Sequence, residues 1–462
     1  MSNPSRLALM AAISKGQIYK KTIAFLRQVW RGDSGAAAMV QTFVVRILIL
    51  SINMGTGVLT ARALGPDGRG EAAAMMLWPQ LLSYLLTLGL PASVIYNLKR
   101  YPKQRNQFFA AALSVSLVLG LIAMIIGILG LPSWLSNYSA ETLYLAQVLT
   151  VFAPISLISL VMVAFCEVED DYTVANQSKY FLPAFTLISL LILLGLGQLT
   201  PVTVALAYLL PSVAISGWLF RRIAPRFQPL IFQWQQTSQA AYTLIQYGLR
   251  CYGIDLLKTL SKKLLGQALV IGLLSPAAMG LYAVAFSISR MLNLFEQAVI
   301  SVLIAKISAR PVPEIVKLTG CAARITTTLT VICVIPLMVI CPILLRFLYG
   351  EQFLAAVPVF RWLLLEVTIG GATWILAQAF MAAGKPGMVT LFQGLGVGLS
   401  IPLLLVLVPH YGLVGVGYAL LISTAIRLIL VLMAYPRILK HSAPNLVISF
   451  EDLNFIRQQF AS

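Results

Sequence analysis

The chain has 462 residues, 59% of them hydrophobic and only 10% charged, with 33 Lys and Arg against 15 Asp and Glu, a formal net charge of +18 and a mean hydropathy of +0.88. A soluble domain carries about 25% charged residues, so a water-soluble globule is excluded. Disorder is excluded too, because it requires low hydrophobicity. The composition is that of an all-α polytopic membrane protein.

Residues 1–37 form a basic N-terminal segment on the cytoplasmic side or at the interface. Within it, 18–31 set Ile18, Phe25, Leu26 and Val29 on one helical face, with Lys20, Lys21, Arg27 and Arg31 elsewhere. That is the pattern of a helix lying on the cytoplasmic leaflet. The apolar run 7–13 is too short for a signal peptide, and polar residues follow it.

A bilayer core needs about 20 mostly apolar residues per helix. Twelve segments satisfy this: 38–60, 72–97, 108–131, 142–165, 178–199, 201–220, 242–274, 279–305, 319–345, 356–381, 389–408 and 413–435. Turn chemistry separates many of them, as at Gly65-Pro66-Asp67-Gly68, Thr200-Pro201, Ser275-Pro276 and Gly384-Lys385-Pro386-Gly387. The organisation expected is an N-half over 38–220 with six helices, a cytoplasmic linker over 221–241, a C-half over 242–435 with six helices, and a cytoplasmic tail over 436–462.

Outside the spans, 21 Lys and Arg collect on one side and three on the other, namely Arg62, Arg69 and Arg346. The positive-inside rule then puts both termini in the cytoplasm of a multi-pass protein of the cytoplasmic (inner) membrane. It also accounts for the basic excess without nucleic acid as a partner. The five cysteines form no CxxC and accompany no His cluster, so no metal site is expected. The acidic run Glu167, Glu169, Asp170 and Asp171 reads as a solvated cytoplasmic loop. No GxxxxGK[ST] occurs, so no nucleotide cofactor is implied.

Ionisable residues inside a span are costly, and they are functional candidates unless they snorkel. Nine bases and three acids lie there. Arg324 and Arg361 lie near span ends and read as snorkelling residues; Arg427 is deeper, and its depth leaves it ambiguous. Arg290 falls near mid-membrane, and Ser287, Arg290, Asn293, Gln297 and Ser301 line one face of the eighth span. Asp255, Lys258 and Lys262 share a face of the seventh, and Thr42, Arg46, Asn53 and Gly57 a face of the first. Arg46, Asn53, Lys258, Lys262, Ser287, Arg290, Asn293 and Gln297 are therefore the candidate substrate-binding residues. Asp255, Glu296 and Glu366 are the candidates for coupling to H⁺ or Na⁺. Glu296, six residues beyond Arg290, is expected to point elsewhere on its helix. Each of these residues has a plainer reading as a hydrogen bond or ion pair between helices.

The chain repeats itself at an offset of 210. Pro66, Gly70 and Ala73 recur as Pro276, Gly280 and Ala283, and Ala207-Tyr208-Leu209-Leu210 recurs as Gly417-Tyr418-Ala419-Leu420. Duplicated six-helix halves in parallel orientation suit a transporter. The stretch Ala61-Arg62-Ala63-Leu64-Gly65-Pro66-Asp67-Gly68-Arg69-Gly70 resembles the first outer loop of the polysaccharide-biosynthesis flippases, the O-antigen type of the multidrug/oligosaccharidyl-lipid/polysaccharide exporter superfamily. Tyr247-Gly248-Leu249-Arg250, the run 274–285, Tyr349-Gly350-Glu351-Gln352-Phe353 and Tyr411-Gly412-Leu413-Val414-Gly415 extend the resemblance over about 38–435. It implies twelve transmembrane helices in two six-helix lobes around a central cavity, with a lipid-linked sugar as substrate. Members often carry a basic–Leu–Asp element in the seventh helix. Here that region reads Lys262-Lys263-Leu264-Leu265-Gly266-Gln267 and lacks the acid.

The intramembrane excess of bases favours an anionic substrate over drug-like cations, and Arg and Lys hold phosphate oxygens. The expected function is an alternating-access flippase, not an enzyme, moving a polyprenyl-diphosphate-linked oligosaccharide or related glycolipid precursor for cell-surface polysaccharide such as O-antigen or exopolysaccharide. Polymerase or export components of that assembly line are its expected protein partners. The alternative is a cation-coupled multidrug antiporter of the same superfamily. A membrane glycosyltransferase or polymerase fits poorly, because the outer loops are short.

Overall fold

The computed structural model describes residues 35–169, 171–227, 234–259, 265–307 and 310–446. The interfacial helix expected over 18–31, Asp170 and Lys262 lie outside these residues. Residues up to Asn53 belong to one compact unit and those from Met54 onward to another.

The protein is an all-α multi-pass membrane protein, and among the described residues nine helices are long and apolar enough to span a bilayer. In chain order the helices are α1 (Gly35–Leu85), α2 (Leu90–Arg100), α3 (Arg105–Trp134), α4 (Ala140–Leu149), α5 (Phe152–Val168), α6 (Tyr172–Gly195), α7 (Pro201–Ile223), α8 (Trp234–Thr259), α9 (Leu265–Leu273), α10 (Pro276–Met291), α11 (Asn293–Ile307), α12 (Val312–Tyr349), α13 (Val357–Ala382) and α14 (Pro386–Ala434).

Nine spans and the twelve expected differ for a local reason. α1 and α14, at 51 and 49 residues, are each two helices joined at one residue in the left-handed region, Gly65 (φ 68°) and Gly412 (φ 56°). Only glycine adopts that conformation at little cost. Each long helix therefore holds two of the expected segments, and the seventh is described only up to Thr259 in α8 and from Leu265 in α9.

Three further breaks fall where the sequence predicts continuous helices, one of them between Leu149 and Phe152 in the fourth segment. The second segment stops at Leu85 and restarts at Leu90 through Leu88 and Gly89, both at positive φ, with Pro91 in the first turn of α2. The eighth stops at Met291 and restarts at Asn293. Helix starts elsewhere follow the turn chemistry. Ser275 accepts from the Ala278 N–H just before Pro276, and Thr200 and Thr203 form a capping box around Pro201.

In the unit that begins at Met54, α3 packs on α5 and α5 on α7, while α13 packs on α12, α14, α10 and α11. α8 opens the C-half in sequence yet packs along α2 and α3, and its Ala240 and Leu244 complete a core with Val94, Phe109, Phe165 and Leu219.

The acidic run after α5 is tied down. Glu169 meets Arg105 at 2.7 Å, and Asp171 pairs with Arg226 and caps α6 through the Val174 N–H. The hydrogen bond from Arg226 is the main reason that the Asp171 carboxyl is held below the usual carboxylate range. A depressed carboxyl contributes stability above its unfolded pKa and loses it as pH falls through the folded one. Both partners are partly exposed, so Asp171→Asn should cost about 1 kcal/mol or less at neutral pH. The same substitution should flatten the loss of thermal stability in detergent below about pH 4. An unchanged acid limb would show that the pair contributes nothing.

Candidate functional site

The repeated PxxxG helix starts meet each other. Gly70, in the first turns of α1 after the kink at Gly65, has a backbone so close to the start of α10 that an added Cβ would lie 1.8 Å from the Pro276 carbonyl oxygen. At the equivalent position of the other half, a Cβ on Gly280 would lie 2.0 Å from the Pro66 carbonyl oxygen. The two contacts are the same contact exchanged between halves, which is what the 210-residue repeat requires of an interface near its symmetry axis. The same end carries a second tie, in which Arg62 donates to the carbonyls of Leu348 (2.7 Å) and Phe347 at the end of α12. Gly65 packs against the Gln352 side chain.

A further backbone approach joins the halves at the break of the second span. A Cβ on Gly89 would lie 2.3 Å from the Gly248 carbonyl oxygen of α8, and one on Gly248 would lie 2.4 Å from that of Leu88. Around it Ser93 Oγ donates to the Leu244 carbonyl at 2.7 Å, and Tyr96 stacks on Tyr247 with ring centroids 4.1 Å apart. Apposed glycines let helix backbones approach closely inside a bilayer.

Four intramembrane charges of the C-half converge, those of Arg290, Glu296, Glu366 and Arg427. Arg290, at the end of α10, meets Glu366 of α13 at 2.7 Å. Thr424 of α14 donates to Glu366 Oε1 at 3.1 Å, and the Arg290 guanidinium stands 4.6 Å from the Phe286 ring centroid. Glu366 is only 6% exposed. Its contact with Arg290 is one of charge, not an aligned hydrogen bond. Glu366 Oε2, Arg290 Nε and Arg427 Nε are buried and find no hydrogen-bond partner among the described residues.

Glycines make room for the cluster. Gly370 and Gly371 of α13 face Glu366 Oε1 and Glu296 Oε2 at 3.6 and 3.7 Å from where a Cβ would stand. Gly396 of α14 faces the Arg427 guanidinium at 3.2 Å. Arg427 interacts electrostatically with Glu366, Glu296 and Arg290. Two cations and two anions thus share one site. The expectation that Glu296 points elsewhere than Arg290 is corrected: its Oε2 faces Gly371 of α13 and it interacts electrostatically with Arg427, beside Glu366. Arg290 is correspondingly not a lone cation on a cavity wall.

The remaining candidates do not all gather there. Ser287 is exposed, and Asn293 and Gln297 lie in the first two turns of α11, past the break, so the expected continuous stripe is divided. Arg46 and Asn53 occupy exposed positions of α1, in the unit that ends at Asn53. Asp255 and Lys258 lie in the last turns of α8, with side chains outside the described set. Arg361 is exposed and donates to the Met338 carbonyl at 3.1 Å, while Arg324 reaches the Asn445 carbonyl. No group of metal-binding type occurs among the described residues.

A family model described as "Polysaccharide biosynthesis protein" matches residues 59–358, which include both PxxxG helix starts and Arg290. The chain belongs to that family. Curated proteins offer no sequence match. Among solved structures this family member is similar to the lipid II flippase MurJ in an inward closed conformation, with TM-score 0.72 and 14% identity over 90% of this chain and 91% of that one. It is also similar to an inward-facing multidrug resistance MATE transporter of the MOP superfamily, with TM-score 0.63 and 17% identity over 87% and 100%. A third is an MOP transporter from Pyrococcus furiosus described as having a binding pocket of reverse polarity, with TM-score 0.56 and 17% identity over 88% and 97%. The fold of this polysaccharide biosynthesis protein is thus the twelve-helix, two-lobe fold of those transporters.

Proposed function

We propose that this chain is an alternating-access flippase for a polyprenyl-diphosphate-linked oligosaccharide, or a related glycolipid precursor, serving cell-surface polysaccharide synthesis. The observation that carries the proposal is the reciprocal closure at Gly70–Pro276 and Gly280–Pro66. The two repeats meet through backbone at equivalent points, so they can part there as rigid bodies, and rocking of repeat against repeat is how such proteins alternate access. The loop distribution of Lys and Arg supports placing this closure on the outer face and both termini in the cytoplasm of the inner membrane. Membership of a polysaccharide family, and the likeness to a flippase of lipid II, support a lipid-linked sugar as substrate.

In this reading Arg46, Lys258 and Lys262 hold the diphosphate, and Asn53, Ser287, Asn293 and Gln297 meet the sugars. The cluster around Glu366 couples the cycle to H⁺ or Na⁺. Arg290 leaves Glu366 for the substrate's phosphates, and the vacated carboxylate takes up the coupling cation, since an unpaired charge in that place is costly. Polymerase or export proteins of the same assembly line are the proposed partners. The likeness to MATE transporters supports one rival, a cation-coupled drug antiporter, but that function calls for a net acidic site, whereas the C-half cluster is balanced.

Reconstituted proteoliposomes test this directly. Labelled polyprenyl-diphosphate sugar should cross the bilayer only when the protein is present. Its binding should weaken with added salt, as charge recognition requires, and Arg290→Ala should abolish transport. Transport of a lipophilic cation, with no movement of the diphosphate lipid, would transfer the assignment to the antiporter.

A further inference from the structure

A hollow of about 360 Å³ opens where the Pro102–Gln104 turn leads into α3 beside the first turns of α8. That is within the size range of small-molecule sites, about 300–1,000 Å³. Gln104 and Gln107 line it from one side, Gln236, Gln239 and Thr243 from the other, and Tyr101 forms an aromatic edge. Among the described residues no charged side chain lines it. Each glutamine offers two donors and a two-lone-pair acceptor, and Thr and Tyr hydroxyls donate and accept. Such a set satisfies a neutral, polyhydroxylated group and supplies no charge to balance a bare ion. Gln107 Nε2 already donates to Gln236 Oε1, so amides from the two sides reach one another.

A second, more open hollow of about 620 Å³ is lined by Ile95, Tyr96 and Tyr247 together with Lys99 and Arg100. Arg100 joins the two. Its guanidinium donates to the Tyr96 hydroxyl at 2.8 Å and lies 5.8 Å from the ring centroids of both Tyr96 and Tyr101. One of those rings walls each hollow. Three chemistries therefore follow in order: an apolar and aromatic wall, two cations, and a neutral bed of amides and hydroxyls. A lipid-linked sugar has the same order, with isoprenoid, diphosphate and glycan. Both hollows lie at the end of the molecule where the basic loops collect.

We infer that the pair of hollows is a docking site for the head of a lipid-linked saccharide. The glutamine hollow takes the first sugars, and Lys99 and Arg100 take the phosphates, before the head enters the translocation path. The inference rests on the proposed flippase reading and adds a recognition step to it, in which the sugar is examined apart from the intramembrane charges.

The test is binding by the purified full-length protein of two probes, a short-chain polyprenyl diphosphate bearing an N-acetylhexosamine disaccharide and the same lipid without sugar. Wild-type protein should prefer the sugar-bearing probe by about tenfold, a difference of one or two net hydrogen bonds. Gln104→Ala/Gln239→Ala should erase that preference and leave affinity for the bare diphosphate unchanged. Lys99→Ala/Arg100→Ala should weaken both probes about tenfold and flatten the salt dependence of binding. These side chains are exposed, and monodisperse elution with unchanged thermal stability confirms that the variants fold. A sugar preference that survives the glutamine variant overturns the inference, as does wild-type protein that binds both probes equally, and either result leaves the flippase reading standing. Wild-type protein that binds neither probe overturns the flippase reading and the docking site together.

Discussion

Glu366→Ala should destabilise the protein by about 3–5 kcal/mol, the cost of breaking a buried ion pair by removing one partner. The size follows from what is left behind. Arg290 meets Glu366 at 2.7 Å, Arg427 interacts with the same carboxylate, and both guanidinium groups have a buried Nε with no other hydrogen-bond partner among the described residues. Two cations would then share the remaining Glu296. Removing both partners is a different experiment, since apolar replacements of a buried pair are often neutral or stabilising. Arg290→Leu/Glu366→Leu should therefore be more stable than Glu366→Ala alone, and thermal unfolding in detergent reads the difference. Transport separates structure from coupling. Glu366→Gln keeps the shape and an acceptor for Thr424 but removes the charge, so it should insert, fold and fail to transport. If the double leucine variant transports normally, the pair holds helices together and the coupling proposal is wrong.

Much of this architecture is legible in the sequence because the bilayer simplifies it. Apolar length gives the spans, and the turn residues at Gly65-Pro66, Thr200-Pro201 and Ser275-Pro276 stand where helices reverse or begin. The recurrence of Pro66/Gly70 as Pro276/Gly280 is visible as well. Its meaning is not, because a repeat states equivalence between positions, and only the fold brings equivalent positions together. The helix breaks at Leu88–Gly89 and Leu292 leave a weak imprint. Pro91 hints at the first, whereas Leu292 is an apolar residue in an apolar run. Beyond that break Glu296 stands with the Arg290 cluster, against the expectation from helical phase. The pairing itself had a signal in composition. Three carboxylates among nine intramembrane bases are more readily explained as counter-charges than as independent ion sites, given what an unpaired charge costs at that depth. Arg427, ambiguous by depth alone, is placed by the glycine opposite it at Gly396. The glutamines around the start of α8 carry no signal in the sequence, because neutral polar residues in a cytoplasmic connection are ordinary until the fold gathers them around a hollow.

Gly70→Ala and Gly280→Ala should each disable the closure between the repeats while leaving the helices inserted. A methyl at Gly70 would sit 1.8 Å from the Pro276 carbonyl oxygen, and one at Gly280 would sit 2.0 Å from that of Pro66. The obstacle is backbone in both cases, so no side chain can rotate away, and relief comes only from parting the two helix starts. Overpacking of this kind costs about 1–3 kcal/mol. Here it falls on the closed state alone, since parted helix starts have room for the methyl. A differential of that size moves a two-state equilibrium by about five- to 150-fold, enough to hold the gate open and stall a cycle that must close it. A cysteine at Ser275, beside the contact, should then react faster with a membrane-impermeant maleimide in either variant, and transport of the labelled lipid should fall by at least about tenfold. Gly217→Ala is the control. It lies within α7 with nothing within 4 Å of an added Cβ, so it should gain helix propensity, up to about 1 kcal/mol, and transport normally. Wild-type labelling and transport in Gly70→Ala would mean that the two helix starts already stand apart for most of the cycle. The reciprocal closure would then be a resting contact with no part in gating.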